Sequence, residues 1–173
     1  MKRLLMVASI TGLMALLLAP AGVSAQQVTN VSIPCQSYYS EFMVSARSDT
    51  IWARLNTTST LSQIMGMDFR AGLRKMVDVG DAASMWSERD TGKVILSFVT
   101  RRTEMHFVFE PDSGTYFNED QWKLYPIGTS QTRVTLLRRR TLYTPQPTTE
   151  IADQSKYFSD MIARLIAIAE GGQ

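Results

Sequence analysis

Few residues in this chain could do chemistry, and they cluster late in it. Arg138, Arg139 and Arg140 follow one another in the stretch VTLLRRRTLY, Glu119 and Asp120 are adjacent, and His106 and Cys35 are the only histidine and the only cysteine. One His and one Cys leave no two-His metal site and no zinc site, so no metal or cofactor is expected. The sequence has no Gly-x-Ser-x-Gly nucleophile elbow and no phosphate-binding glycine loop. In an extended strand adjacent side chains point to opposite faces. Glu119 and Asp120 therefore cannot cooperate as a pair, though one of them could face an interior as a general acid or base. By the same rule Arg138 and Arg140 share a face with Val134 and Leu136, while Arg139 sides with Leu137. His106, between Met105 and Phe107, points away from the aromatic face and towards solvent. Two readings of the arginines stay open. Arg138 or Arg140 sits at a cavity mouth and pairs with an anionic group, or the run lines a sheet edge and pairs with acids such as Glu88 and Glu104.

The elements that must position these residues can be read from periodicity. Residues 26–37 carry no period and read as an N-terminal arm. Glu41–Ala46 is a short strand. Ser48 is placed to cap a first short helix through Ile51, Trp52 and Leu55, and Ser59 or Thr60 to cap a second, Leu61–Met65, that Gly66 stops. Residues 67–80 fit either helix or strand, with alternation favouring strand. Then come strands at Ser84–Arg89, Lys93–Arg101, Met105–Phe109, Tyr116–Tyr125 and Thr132–Tyr143. Their turns are Asp90-Thr91-Gly92, Pro111–Gly114 and Gly128-Thr129-Ser130. Joins this short make the strands antiparallel. From Thr149 to about Ala169 a helix carries Ile151, Phe158, Met161, Ile162, Leu165 and Ile168 on one apolar stripe. Only the sheet is available to bury that stripe.

The opening MKRLLMVASITGLMALLLAPAGVSA has the build of a secretory signal peptide: Lys2 and Arg3, an apolar run from Leu4 to Leu18, and small residues before Ala25. The run is shorter than the roughly 20 residues that span a bilayer. Cleavage is expected after Ala25, and with it a periplasmic or secreted location. The chain has 18 basic and 16 acidic residues. Removing residues 1–25 takes Lys2 and Arg3 and no acid, so 16 of each remain. A near-neutral domain of about 148 residues has one core and no general nucleic-acid footprint. Cys35 lies too far downstream to be a lipoprotein acceptor and has no internal disulfide partner. No integral membrane segment is expected after cleavage.

Strand, two short helices, a run of antiparallel strands and one long final helix form a helix-grip order, and three stretches carry a family likeness. FMVSARSDTIWARL resembles the opening strand and helix entry of the START-like (SRPBCC) superfamily of polyketide cyclase/dehydrase and lipid-transfer proteins. QWKLYPIGTSQTRVTL resembles its late hairpin, and FSDMIARLIAIAEGG its closing helix. The resemblance covers most of residues 38–170. It implies an α+β fold in which a curved antiparallel sheet of six or seven strands wraps around the C-terminal helix, with a cavity between them. In that cavity Trp86, Phe98, Met105, Phe107, Phe109, Trp122, Met161 and Leu165 would form an apolar lining, with Arg138 and Arg140 at the polar end. The expected ligand is a hydrophobic or amphipathic small molecule or lipid. A cyclase- or dehydratase-type enzyme using the same cavity, and an interaction protein with a filled core, are the alternatives.

Overall fold

A computed structural model describes residues 35–88, 90–143 and 148–171; the expected signal peptide and residues 26–34 of the expected arm lie outside them. In chain order the elements are β1 (Cys35–Val44), α1 (Ser48–Leu55), α2 (Thr58–Met65), β2 (Asp68–Gly72), β3 (Ala82–Trp86), β4 (Thr91–Thr100), β5 (Glu104–Pro111), β6 (Tyr116–Ile127), β7 (Gln131–Leu142) and α3 (Thr148–Glu170). The seven strands form one antiparallel sheet in the order β1-β7-β6-β5-β4-β3-β2. This is the α+β helix-grip arrangement, with α3 laid along the inner face through Phe158, Met161, Leu165 and Ala169, all buried.

One hairpin organises that inner face. Gly128, at φ 64°, turns β6 back onto β7 so that Ile127 pairs with Gln131. The register that follows sets Leu124 opposite Val134, Trp122 opposite Leu136, Asp120 opposite Arg138, Asn118 opposite Arg140 and Tyr116 opposite Leu142. All ten side chains are buried. Their order divides the face into an apolar half and a polar half. β5 extends both, placing Met105 beside Trp122, Phe107 beside Asp120 and Phe109 beside Asn118.

At the boundary lies a buried ion pair. Arg138 Nε donates to Asp120 Oδ1 and Nη2 to Oδ2, each at 2.6 Å, and the two side chains are 1% and 4% exposed. Bidentate geometry is what a pair withdrawn from water requires, because desolvation costs several kcal/mol per ion. Burial alone would lower the Arg138 pKa; the facing Asp120 carboxylate more than offsets this and raises it. The same guanidinium donates to Met161 Sδ at 3.6 Å and lies 4.7 Å from the Tyr157 ring centre, so two turns of α3 rest on it.

Several boundaries differ from the sequence reading for local reasons. β1 starts at Cys35, inside the expected arm, because it pairs with β7 as far as Thr141. Arg47 and Thr57 occupy the N-cap positions of α1 and α2, so Ser48 lies inside its helix and Ser59 and Thr60 lie beyond their cap. Residues 68–72 are strand; the Asp81 carboxylate then accepts from the Val77 and Asp78 amides and holds an irregular loop. The β3–β4 turn runs from Ser87 to Asp90, not from Asp90 to Gly92, closed by the Ser87 amide donating to Asp90 O. Gly92 sits within β4, where a Cβ would come 2.3 Å from Glu110 O. Nor is the arginine run at an edge: β7 lies between β1 and β6, and Arg138 and Arg139 pair with Asp120 and Glu119.

Replacing one member of the buried pair strands the other. Asp120→Leu should cost about 3–5 kcal/mol in urea unfolding, and the double variant Asp120→Leu/Arg138→Met should recover most of that loss.

Candidate functional site

Where the polar half of the sheet passes under α3, a cavity of about 70 Å³ remains, lined by Met65, Gly66, Met67, Ser87, Asp90, Phe109, Tyr116, Asn118, Arg140, Gln154 and Tyr157. Three structural facts bring these residues together. The β5–β6–β7 register sets Phe109, Asn118 and Arg140 in one row across the sheet. The C-terminal end of α2 supplies Met65, then Gly66 in the left-handed conformation as C-cap (φ 64°), then Met67. α3 supplies Gln154 and Tyr157. Gly66 is favoured by its left-handed backbone; a Cβ there would also meet the movable tip of the Arg164 side chain at 2.9 Å.

The walls are of two kinds. Met65, Met67 and Phe109 are apolar, while the rest of the lining is largely polar. Tyr116 donates its hydroxyl to Asp90 Oδ2 at 2.6 Å, and the Arg140 guanidinium stacks 3.8 Å from the Tyr116 ring centre. Burial first, then the Asp90 hydrogen bond and charge, push the Tyr116 hydroxyl far above its usual pKa near 10. Asn118 is 6% exposed, and its Oδ1 has no hydrogen-bond partner among the described residues.

Outside this cavity lies an open groove of about 420 Å³ that shares Gly66, Ser87 and Tyr157 with it and adds Glu88, Asp153, Lys156, Asp160 and Arg164. Tyr157 stands at the junction. Its hydroxyl donates to Met65 O, and Arg164 Nε donates to Ile64 O at 2.9 Å, so α3 grips the last turn of α2 from both sides of the opening.

The residues expected to line a ligand cavity separate into four groups. Phe109 and Arg140 line it. Arg138 lies one row deeper, held by Asp120. Met105, Phe107, Trp122, Met161 and Leu165 are buried in the core cluster and do not line the cavity. Trp86 and Phe98 are 44% and 42% exposed and belong to neither core nor cavity. Met85 takes the inward position at the end of β3, so Trp86 must point out. A bulge between Leu96 and Phe98 turns Phe98 out to stack on His106 at 4.7 Å.

His106 itself lies on the outer face, at 2.6 Å from Glu104 Oε1 through Nε2, with its side chain 18% exposed. Burial would raise the Glu104 pKa, but hydrogen bonds from His106 and Gln121 and the charge of Lys123 hold it below the usual value.

Tyr116, Asn118, Asp90, Tyr157, Met65 and Met67 were not anticipated. Alternation back from Trp122 reaches Asn118 and Tyr116, and counting outward from the Gly128 turn would have set Asn118 against Arg140. Nothing local marks Asp90 or Tyr157 as part of the site; they arrive from a distant turn and helix.

Tyr116 also yields a pH prediction. Its pKa is raised in the folded state, so its contribution to stability is complete below the unfolded value near 10 and is lost as pH climbs past it. Alkaline urea titrations should show wild type losing stability more steeply above that pH than Tyr116→Phe. Tyrosinate absorbance should show one tyrosine protected until unfolding.

No family model and no curated protein matches the sequence; likeness appears only among solved structures. The Zhui aromatase/cyclase of a Streptomyces species superposes with a TM-score of 0.62 at 11% identity, over 79% of this chain and 94% of that one. Truncated norcoclaurine synthase from Thalictrum flavum gives 0.56 at 13%, over 82% and 97%. Ara h 8.0201 gives 0.59 at 7%, over 79% and 98%. At such identities the likeness is one of architecture, and with the seven-stranded sheet gripping a C-terminal helix it shows that the chain has a START-like, helix-grip fold.

Proposed function

We propose that this chain is an exported START-like protein that binds a small amphipathic molecule between the sheet and its C-terminal helix. The observation that carries the reading is the mixed cavity on the polar half of the sheet, with Met65, Met67 and Phe109 on one side and Tyr116, Asn118, Asp90 and Arg140 on the other. Its volume is far below the ~300–1,000 Å³ of pockets for drug-sized ligands. What enters is therefore a head group or a short molecule, and any longer portion rests in the outer groove beside Tyr157. An acyl chain has no interior space along the core, which Met105, Phe107, Trp122 and Leu165 fill.

A second reading has one specific support, the Tyr116–Asp90 pair at the cavity wall. Two fold neighbours are named as an aromatase/cyclase and a synthase, and a hydroxyl bonded to a carboxylate is a proton-handling arrangement. Tyr116→Phe separates the two: a binding protein keeps its ligand, whereas an enzyme keeps binding and loses turnover.

The leader-like N-terminus, with Lys2 and Arg3, the apolar run Leu4–Leu18 and small residues before Ala25, supports export. The described residues contain no helix long and apolar enough to cross a membrane. N-terminal sequencing of the protein recovered outside the cytoplasm should begin at Gln26; an intact Met1 there would sink this part.

Native mass spectrometry of the purified chain should reveal a non-covalent small molecule. Met67→Trp, which fills the cavity, should reduce its occupancy at least about tenfold while urea unfolding shows the variant folded. Absence of any bound species, together with no thermal shift from short amphiphiles, would count decisively against binding.

A further inference from the structure

We propose that the head group taken by this cavity is an uncharged hydrogen-bond donor, a hydroxyl carried on a short apolar body. This inference rests on the binding reading above and gives its ligand a chemical class.

The argument starts from Asn118. Its side chain is almost wholly buried, it faces the cavity, and its Oδ1 accepts nothing from the described residues. An amide oxygen withdrawn from water without a donor is costly. Its cross-strand neighbours explain why the protein does not satisfy it internally. On one side Phe109 brings only carbon, and on the other the Arg140 guanidinium lies over the Tyr116 ring, 3.8 Å from its centre. The donor has to come from whatever occupies the cavity.

Charge then limits what that donor can be. The cavity wall holds the Asp90 carboxylate, accepting from Tyr116, and the Arg140 guanidinium, with the Arg138 guanidinium one row deeper. In a space this small a carboxylate or phosphate head comes close to Asp90. An ammonium head comes close to Arg140, while Arg138 is already paired with Asp120. Each meets one like and one opposite charge on the wall, so no net attraction offsets the hydration it gives up. A ketone or ester brings no charge but no donor either. A hydroxyl brings no charge and donates to Asn118 Oδ1, while Met65, Met67 and Phe109 cover the carbon that bears it.

The test uses the purified chain and four probes of matched size: n-hexanol, hexanoate, hexylamine and butyl methyl ketone, titrated by calorimetry at neutral pH. Hexanol should bind at least about tenfold more tightly than the other three. Asn118→Leu should weaken hexanol about tenfold, the usual effect of losing one buried hydrogen bond, and leave the ketone nearly unchanged. Hexanoate, hexylamine or the ketone equalling hexanol overturns the inference and leaves the binding reading standing. Unchanged hexanol affinity in a folded Asn118→Leu variant does the same. If that variant does not fold, the ranking of probes on the wild type decides. Failure of all four probes, with no molecule co-purifying, overturns both.

Discussion

A guanidinium cannot be withdrawn from water without a partner, and Arg138 is fully withdrawn. Everything at the centre of this structure is arranged so that Asp120 meets it with both oxygens. The β6–β7 hairpin brings the two opposite each other, the sheet face excludes water from them, and Met161 and Tyr157 of α3 close the remaining side. A pair of this kind contributes little net stability compared with well-packed apolar residues. Its effect is on specificity. A slip of β7 by one residue would send Val134, Leu136, Arg138 and Arg140 outward together and bring Arg133, Thr135, Leu137 and Arg139 to the inner face in their place.

That constraint also explains why a cavity exists at one end of the molecule and not along its length. In the apolar half, Trp122, Leu124, Val134, Leu136, Met105 and the α3 residues Phe158, Met161 and Leu165 are buried together in one hydrophobic cluster. In the polar half the side chains are planar, hydrogen-bonded and fixed in direction, so they cannot collapse around the remaining space. Tyr116 is tied to Asp90 and stacked under Arg140, and Tyr157 is tied to Met65. Polar groups held in place make a pocket in a way that methionines do not.

Much of the architecture was legible beforehand because it depends on local rules. Alternation marked β4 to β7, Gly128 and Gly114 marked turns, and the three-four spacing of Phe158, Met161 and Leu165 marked α3. Alternation also assigned Arg138 and Arg140 to one face and His106 to the other. The site was far less legible. Trp86 was placed in the lining although its neighbour Met85 holds the inward position on β3, and the bulge that turns Phe98 outward leaves no mark in composition. Asp90 was legible only as a turn residue and Tyr157 only as part of a helix, because their roles in the site depend on which residues a remote turn and a remote helix set beside them.

By itself the chain determined an antiparallel sheet closed by one amphipathic helix, since period and turn chemistry are properties of short segments. It also determined that two arginines share a face with valine and leucine. Whether that face was solvent, edge or interior depended on the neighbours of β7, and strand order is a long-range property. Tertiary structure placed β7 inside the sheet, set Asp120 and Asn118 opposite the arginines, and folded α3 over them. Through-space desolvation then decided the rest: the apolar rows closed completely, and the charged rows kept a small polar space.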